Sequence, residues 1–192
     1  HVILYSRNGT QWSARIWWML RAVGFDRASI LDGGFNQWQK KSLPTSKGNL
    51  TFSQSDFIFS PRNNIFVDKD AVLEAMNNPK FIILNSLTAD IHNGKNPRYG
   101  RLGRIPTSMN VPFHKLLDSE TGKFKKFDEL LKIFQINNIS RDNCVLNYCG
   151  GGIAASLEAF VLYQLGFENI TIYDNSLHEW AAIDQTLPME NN

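Results

Sequence analysis

The rhythm of apolar and polar positions changes sharply around residue 150. Val145, Leu146, Asn147 and Tyr148 form a short, mostly apolar run that predicts a strand and leads into Cys149 and three glycines. From Ile153 the apolar residues fall at Leu157, Phe160, Val161 and Leu165, the spacing of one helix face. Gly166 stands where a glycine ends such a helix. Phe81, Ile82, Ile83 and Leu84 are continuously apolar, as in a strand buried on both faces. Asp68 is placed to cap a short helix bearing Ala71, Val72, Ala75 and Met76. Residues 127–134 predict a helix with Leu130, Leu131 and Phe134 inward, and residues 170–173 a further strand. Strands alternating with helices predict an α/β fold with a parallel sheet.

The same pattern occurs twice. Residues 2–44 read against 145–188 almost element by element: Tyr5-Ser6 against Tyr148-Cys149, Gly24-Phe25 against Gly166-Phe167. Asp32 matches Asp174, Trp38 matches Trp180, and Leu43-Pro44 matches Leu187-Pro188. The first copy carries serine where the second carries Cys149, and no base stands near to activate that hydroxyl, so it reads as catalytically silent. Its helix has an apolar stripe of Trp12, Ile16, Met19, Leu20 and Val23, with Trp17 and Trp18 outside it. A helix apolar on more than one face is buried on more than one face, so the extra tryptophans are expected to meet the second domain or a partner chain. Only the second copy is preceded by α/β pattern, from residue 65 onward. The chain is therefore expected to hold the latter half of one domain (1–44), a Ser/Asn/Gln/Pro-rich linker (45–64) and a complete domain (65–192), with its natural N-terminus absent. Phe52, Phe57 and Phe59 are expected to lay the linker on the domain surface. An apolar face around Trp17 and Trp18 left short of partners favours self-association.

Composition narrows the class. Of 192 residues, 43% are apolar, enough for a core, and a net charge of +2 argues against a nucleic-acid or membrane-surface protein. No apolar run is long enough to span a bilayer. Cys144 and Cys149 do not form a Cys-x-x-Cys pair, and with four scattered histidines they do not indicate a zinc site. A free reactive thiol fits a reducing compartment, so a cytoplasmic location is expected. Cys144 reads as a small hydrophobe.

Cys149 lies at the junction where an α/β sheet presents its chemistry. Successive glycines let N–H groups turn inward as an anion nest, and the following helix start adds positive potential. Both favour negative charge on the sulfur. A tyrosine-phosphatase loop needs arginine six residues after its cysteine, where Ala155 stands. A P-loop needs lysine followed by Ser or Thr after its last glycine, and none is present. What remains is a nucleophilic thiolate in a neutral loop.

This stretch resembles the active-site loop of rhodanese-type sulfurtransferases, the thiosulfate and 3-mercaptopyruvate sulfurtransferase family, particularly the Cys-Gly-x-Gly-Val form of the mercaptopyruvate enzymes. Residues 85–112 resemble the family's long loop, and the segment from Asp174 to Trp180 resembles its Asp-Gly-Ser-Trp-x-Glu-Trp, with Asn175 tolerating the glycine's left-handed turn. There are departures: Asn85 and Leu87 replace Asp and Arg, Ile91 replaces a substrate-binding arginine, Arg104 replaces histidine, and Gly151 replaces a frequent serine. Arg98 matches the second substrate arginine, whereas Lys95, Arg101 and Arg104 read as surface charge and His178 as an exposed helix histidine.

The resemblance implies a rhodanese-like doubly wound parallel sheet, the inactive half-domain preceding the catalytic one. It implies transfer of a sulfane sulfur from a small anionic donor to a thiol or cyanide acceptor through a persulfide on Cys149. No cofactor or metal is implied. Arg98 would bind the donor, and the amides of Gly150, Gly151, Gly152, Ile153 and Ala154 would hold the sulfur anion. The neutral loop favours 3-mercaptopyruvate, while Gly151 and Ile91 keep thiosulfate or a protein persulfide open. The alternative is a non-enzymatic rhodanese-homology module for binding or sulfur carriage.

Overall fold

A computed structural model of the chain describes residues 1–54 and 56–191; Ser55, within the expected linker, and Asn192 lie outside the described residues. Strands β1 (Val2–Leu4) and β2 (Ala28–Ile30) pair in parallel as a small sheet. Strands β3 (Phe66–Val67), β4 (Phe81–Asn85), β5 (Met109–Asn110), β6 (Cys144–Tyr148) and β7 (Ile170–Tyr173) form a wholly parallel five-stranded sheet in the order β3-β7-β6-β4-β5. The helices are α1 (Thr10–Ala22), α2 (Gly34–Lys40), α3 (Lys69–Met76), α4 (Ala89–His92), α5 (Phe127–Ile136), α6 (Ile153–Gln164) and α7 (Ser176–Trp180). Among the described residues, no helix is long and apolar enough to cross a membrane. The α/β parallel-sheet expectation holds.

Central strands β4 and β6 are apolar on both faces because helices cover both. The α3 cap is as expected: the Asp68 carboxylate accepts the N–H groups of Asp70 and Ala71, each at 3.1 Å. Helix α5 buries Leu130 and Phe134.

Helix α6 departs from its one-face reading. Every residue from Ala154 to Leu162 is buried, Glu158 included, because the sheet covers one side and α1 the other. The covering residues on α1 are Trp17 and Trp18. The Trp17 ring lies 5.0 Å from those of Phe160 and Tyr163, and Trp18 donates its indole N–H to the Ser156 carbonyl at 3.0 Å. The two tryptophans thus pack on α6, and the uncovered face expected around them is absent. Of the stripe Trp12, Ile16, Met19, Leu20 and Val23, the first three face solvent, Trp12 with 51% of its surface open, while Leu20 and Val23 are half-buried.

The expected linker is only partly laid down. Phe57 meets Phe25 at 5.7 Å and Arg62 forks onto Asp26 at 2.6 Å, yet Phe57 stays exposed, as Phe52 and Phe59 are.

Local geometry recurs between the matched segments. Trp38 donates to the Pro44 carbonyl at 2.9 Å, and Trp180 to that of Pro188 at 2.8 Å. The N–H of Phe35 reaches the Ser6 carbonyl at 3.1 Å, and that of Leu177 reaches the Cys149 carbonyl at 3.1 Å.

Candidate active site

Strand β6 ends at Tyr148 and α6 begins at Ile153, so Cys149 and the three glycines make the whole connection. Gly152, the N-cap of α6, has φ 77°, and a side chain there would collide with Arg15 and Asp174, so only glycine fits. The N–H groups of residues 150–154 find no hydrogen-bond acceptor among the described residues. They form the unpaired start of α6 and its positive pole, a ready-made anion cradle. Gly150 and Gly152 are buried, Gly151 is open, Ile153 is half-buried and Ala154 is buried.

Cys149 itself is 2% exposed. Its N–H donates to the Ser176 hydroxyl oxygen at 3.0 Å, and that hydroxyl donates to the Tyr173 carbonyl at 2.7 Å. The left-handed residue of this turn is Ser176, at φ 52°; Asn175, expected to take it, is right-handed at φ −71°. The residue at the corresponding place in the matched segment 2–44 is Gly34, at φ 58°. Where no cysteine must be held, glycine takes the turn without strain. Where Cys149 must be held, serine accepts the strain and its hydroxyl fixes the cysteine amide.

Asp174 forms an ion pair with Arg15 of α1, directly beneath Gly152, and the Arg15 guanidinium lies 4.6 Å from the Phe66 ring centroid. Helix α1 therefore contributes a charge to the underside of the loop. Nothing in the pattern of α1 marked Arg15 for this.

The long loop between α4 and β5 is pinned at several points. Tyr148, wholly buried, takes the N–H of Ile105 at 3.2 Å and the Asn85 amide at 2.9 Å on its hydroxyl, and burial pushes its phenol pKa far up. Asn85, read as a departure, also accepts the Leu87 N–H at 2.9 Å and so shapes the strand end. Arg101 donates to the carbonyls of Ala182 and Leu187 at 3.2 and 2.6 Å, and Arg104 pairs with Glu190. Both are expected to be solvated surface charge; instead Arg104 is buried and Arg101 half-buried, because their guanidinium groups tie the loop to the segment after residue 180. Ile91 is buried in the core.

Arg98 is exposed and lines an open recess of about 570 Å³ with Tyr99, Gly100, His178, Ala182, Ile183 and Asp184. His178 is exposed, and its backbone N–H holds the Gly150 carbonyl at 2.8 Å. Tyr99 went unnoticed in the sequence: its ring and hydroxyl press on Gly150 so closely that a Cβ there would strike them. Glu158, also unnoticed, accepts the Ser86 hydroxyl, has a second oxygen without a partner among the described residues, and is pushed up to about 8 by burial.

The sequence pattern of the rhodanese-like domain matches residues 1–41 and 69–183. The chain belongs to the rhodanese-like family. Among curated relatives of this rhodanese-like chain, 3-mercaptopyruvate sulfurtransferase of Rattus norvegicus is 31% identical over 185 residues, covering 94% of this chain and 62% of that enzyme. Thiosulfate sulfurtransferase of Gallus gallus is 28% identical over 183 residues, covering 94% and 63%. The chain thus spans less than two thirds of either relative. The solved structure of SseA, a 3-mercaptopyruvate sulfotransferase from Escherichia coli, superposes with TM-score 0.79 at 30% identity, covering 92% of this chain and 66% of that one. EanB in complex with ergothioneine superposes with TM-score 0.87 at 18% identity, covering 99% and 50%, a likeness of fold.

Proposed function

We propose that this rhodanese-like chain is a sulfurtransferase that moves a sulfane sulfur through a persulfide on Cys149. The observation that carries this reading is the cradle of unpaired amides following a buried cysteine, whose backbone is fixed by Ser176. The Cys149 thiolate attacks the outer sulfur of the donor and an S–S bond forms. The donor's S–C bond (3-mercaptopyruvate) or S–S bond (thiosulfate) breaks, and its electron pair leaves with pyruvate enolate or sulfite. The terminal sulfur remains as an anion facing the amides of Gly150, Gly151, Gly152, Ile153 and Ala154, which are preorganised dipoles. A thiol or cyanide acceptor then takes that sulfur and restores the thiolate.

Arg98, in the recess beside Gly150, is the donor-binding cation of this reading, since a guanidinium forks onto a carboxylate or sulfonate. The neutral loop suits a monoanionic 3-mercaptopyruvate, and names among the relatives support either donor. The paired bonds at Trp38–Pro44 and Trp180–Pro188 support reading residues 1–44 as the latter half of a silent copy, 45–64 as linker and 65–192 as the catalytic copy. The burial of Cys149 favours one other reading, a binding or sulfur-carrier module. Incubating the protein with each donor plus cyanide and measuring thiocyanate separates them. Catalytic thiocyanate with either donor supports the enzyme, and none with both supports the module.

A further inference from the structure

Tyr99 sits in the long loop, far in sequence from Cys149, yet its phenol is laid on the residue that follows the cysteine. The contact is built from both sides. Gly150 admits the ring only because it lacks a Cβ, and the His178 N–H holds the Gly150 carbonyl at 2.8 Å. On the other side, Gly100 N–H closes a turn on the Pro97 carbonyl at 3.1 Å, and Arg101 N–H reaches the Ala181 carbonyl at 2.8 Å. A side chain on Gly100 would strike that same Ala181 carbonyl, so the backbone beside Tyr99 has one seat. The Arg101 guanidinium locks that seat to the segment after α7.

The phenol is half-buried, and its hydroxyl has no hydrogen-bond partner among the described residues. The hydroxyl stays within reach of solvent, so it can exchange a water for a negatively charged sulfur brought to the rim of the reactive loop. Burial pushes the phenol up from its ordinary value, Arg98 pulls it down, and negative charge on Cys149 pushes it up again. The net direction is up, so the hydroxyl keeps its proton at neutral pH. Packing alone would be served equally well by phenylalanine.

We propose that Tyr99 is a catalytic residue whose hydroxyl donates a hydrogen bond to the sulfur in transit on Cys149, supplementing the loop amides. This rests on the sulfur-transfer reading above. The phenol keeps its proton throughout. In the step with 3-mercaptopyruvate, the thiol hydrogen of the donor ends on the methyl carbon of pyruvate, and the persulfide sulfur carries the negative charge that Tyr99 and the amides share. A donor placed where charge develops acts mainly on the rate of the step and little on substrate affinity.

The experiment is single-turnover loading of Cys149 with thiosulfate and with 3-mercaptopyruvate, in wild type and Tyr99→Phe, followed by quenching and protein mass. The phenylalanine keeps the ring on Gly150, so an unchanged melting temperature is expected. The loading rate should fall about ten- to a hundredfold at saturating donor, with the half-saturating concentration within about twofold of wild type. Equal loading rates in the two proteins overturn this inference and leave the sulfur-transfer reading intact. A change confined to the half-saturating concentration makes Tyr99 a binding contact and also overturns it. Wild type that takes up no sulfur from either donor overturns the sulfur-transfer reading, and the inference falls with it.

Discussion

Replacing Glu158 by glutamine isolates the least comfortable group in the core. An unperturbed glutamate titrates at about 4.3. In the fold Glu158 is pushed up to about 8, because burial opposes its charge and one Ser86 hydroxyl only partly offsets this. The folded pKa is raised, so between these two values the unfolded chain releases a proton that the folded chain keeps. Stability from this group is therefore fully present below about pH 4, declines by about 1.4 kcal/mol per pH unit, and levels off above about pH 8. At pH 7 the accumulated loss is about 3–4 kcal/mol. Glutamine has no such titration, and all other groups are common to both proteins. Urea unfolding at pH 5, 6, 7 and 8 gives the difference directly. Glu158→Gln should gain on wild type steadily from pH 5 to pH 8, ending more stable by several kcal/mol. A gap that stays constant across that range would show that Glu158 is not a strained buried acid.

Two further substitutions test other parts of the molecule. Trp18→Ala removes a buried indole and its bond to Ser156 at the α1–α6 contact, and should cost about 3–5 kcal/mol in urea unfolding; a loss under about 1 kcal/mol would mean that α1 is merely adjacent. Arg98→Ala should raise KM for an anionic donor about ten- to a hundredfold with the melting temperature unchanged; an unaltered KM returns Arg98 to ordinary surface charge.

Local pattern and tertiary contact divide what the sequence made legible. Strand β6, helix α6 and the glycines between them are short-range features, and their periodicity and turn chemistry are written in adjacent residues. The α3 cap at Asp68 is legible for the same reason. Contacts across many residues are not. Tyr99 on Gly150, Arg15 under Gly152 and Glu158 on Ser86 depend on how sheet order brings loops together, and no spacing encodes that. The α1 stripe shows the opposite error. Trp12, Ile16 and Met19 have helical spacing, but spacing identifies a face without saying what lies opposite it, and here the burial falls to Trp17 and Trp18. Serine in place of Gly34 at position 176 was visible in the repeat, yet its meaning appears only with the bond to Cys149.

The central claim is a sulfur carried on Cys149, and intact-protein mass spectrometry after mixing with donor alone tests it most directly. One added sulfur atom is expected with 3-mercaptopyruvate or thiosulfate, released by a reductant or by cyanide. Peptide mapping should place it on Cys149, and Cys149→Ser should abolish both adduct and turnover, since the serine hydroxyl has no base to activate it. Cys144→Ser should leave both nearly intact. An adduct that maps to Cys144, or turnover that survives the loss of Cys149, would contradict the mechanism outright.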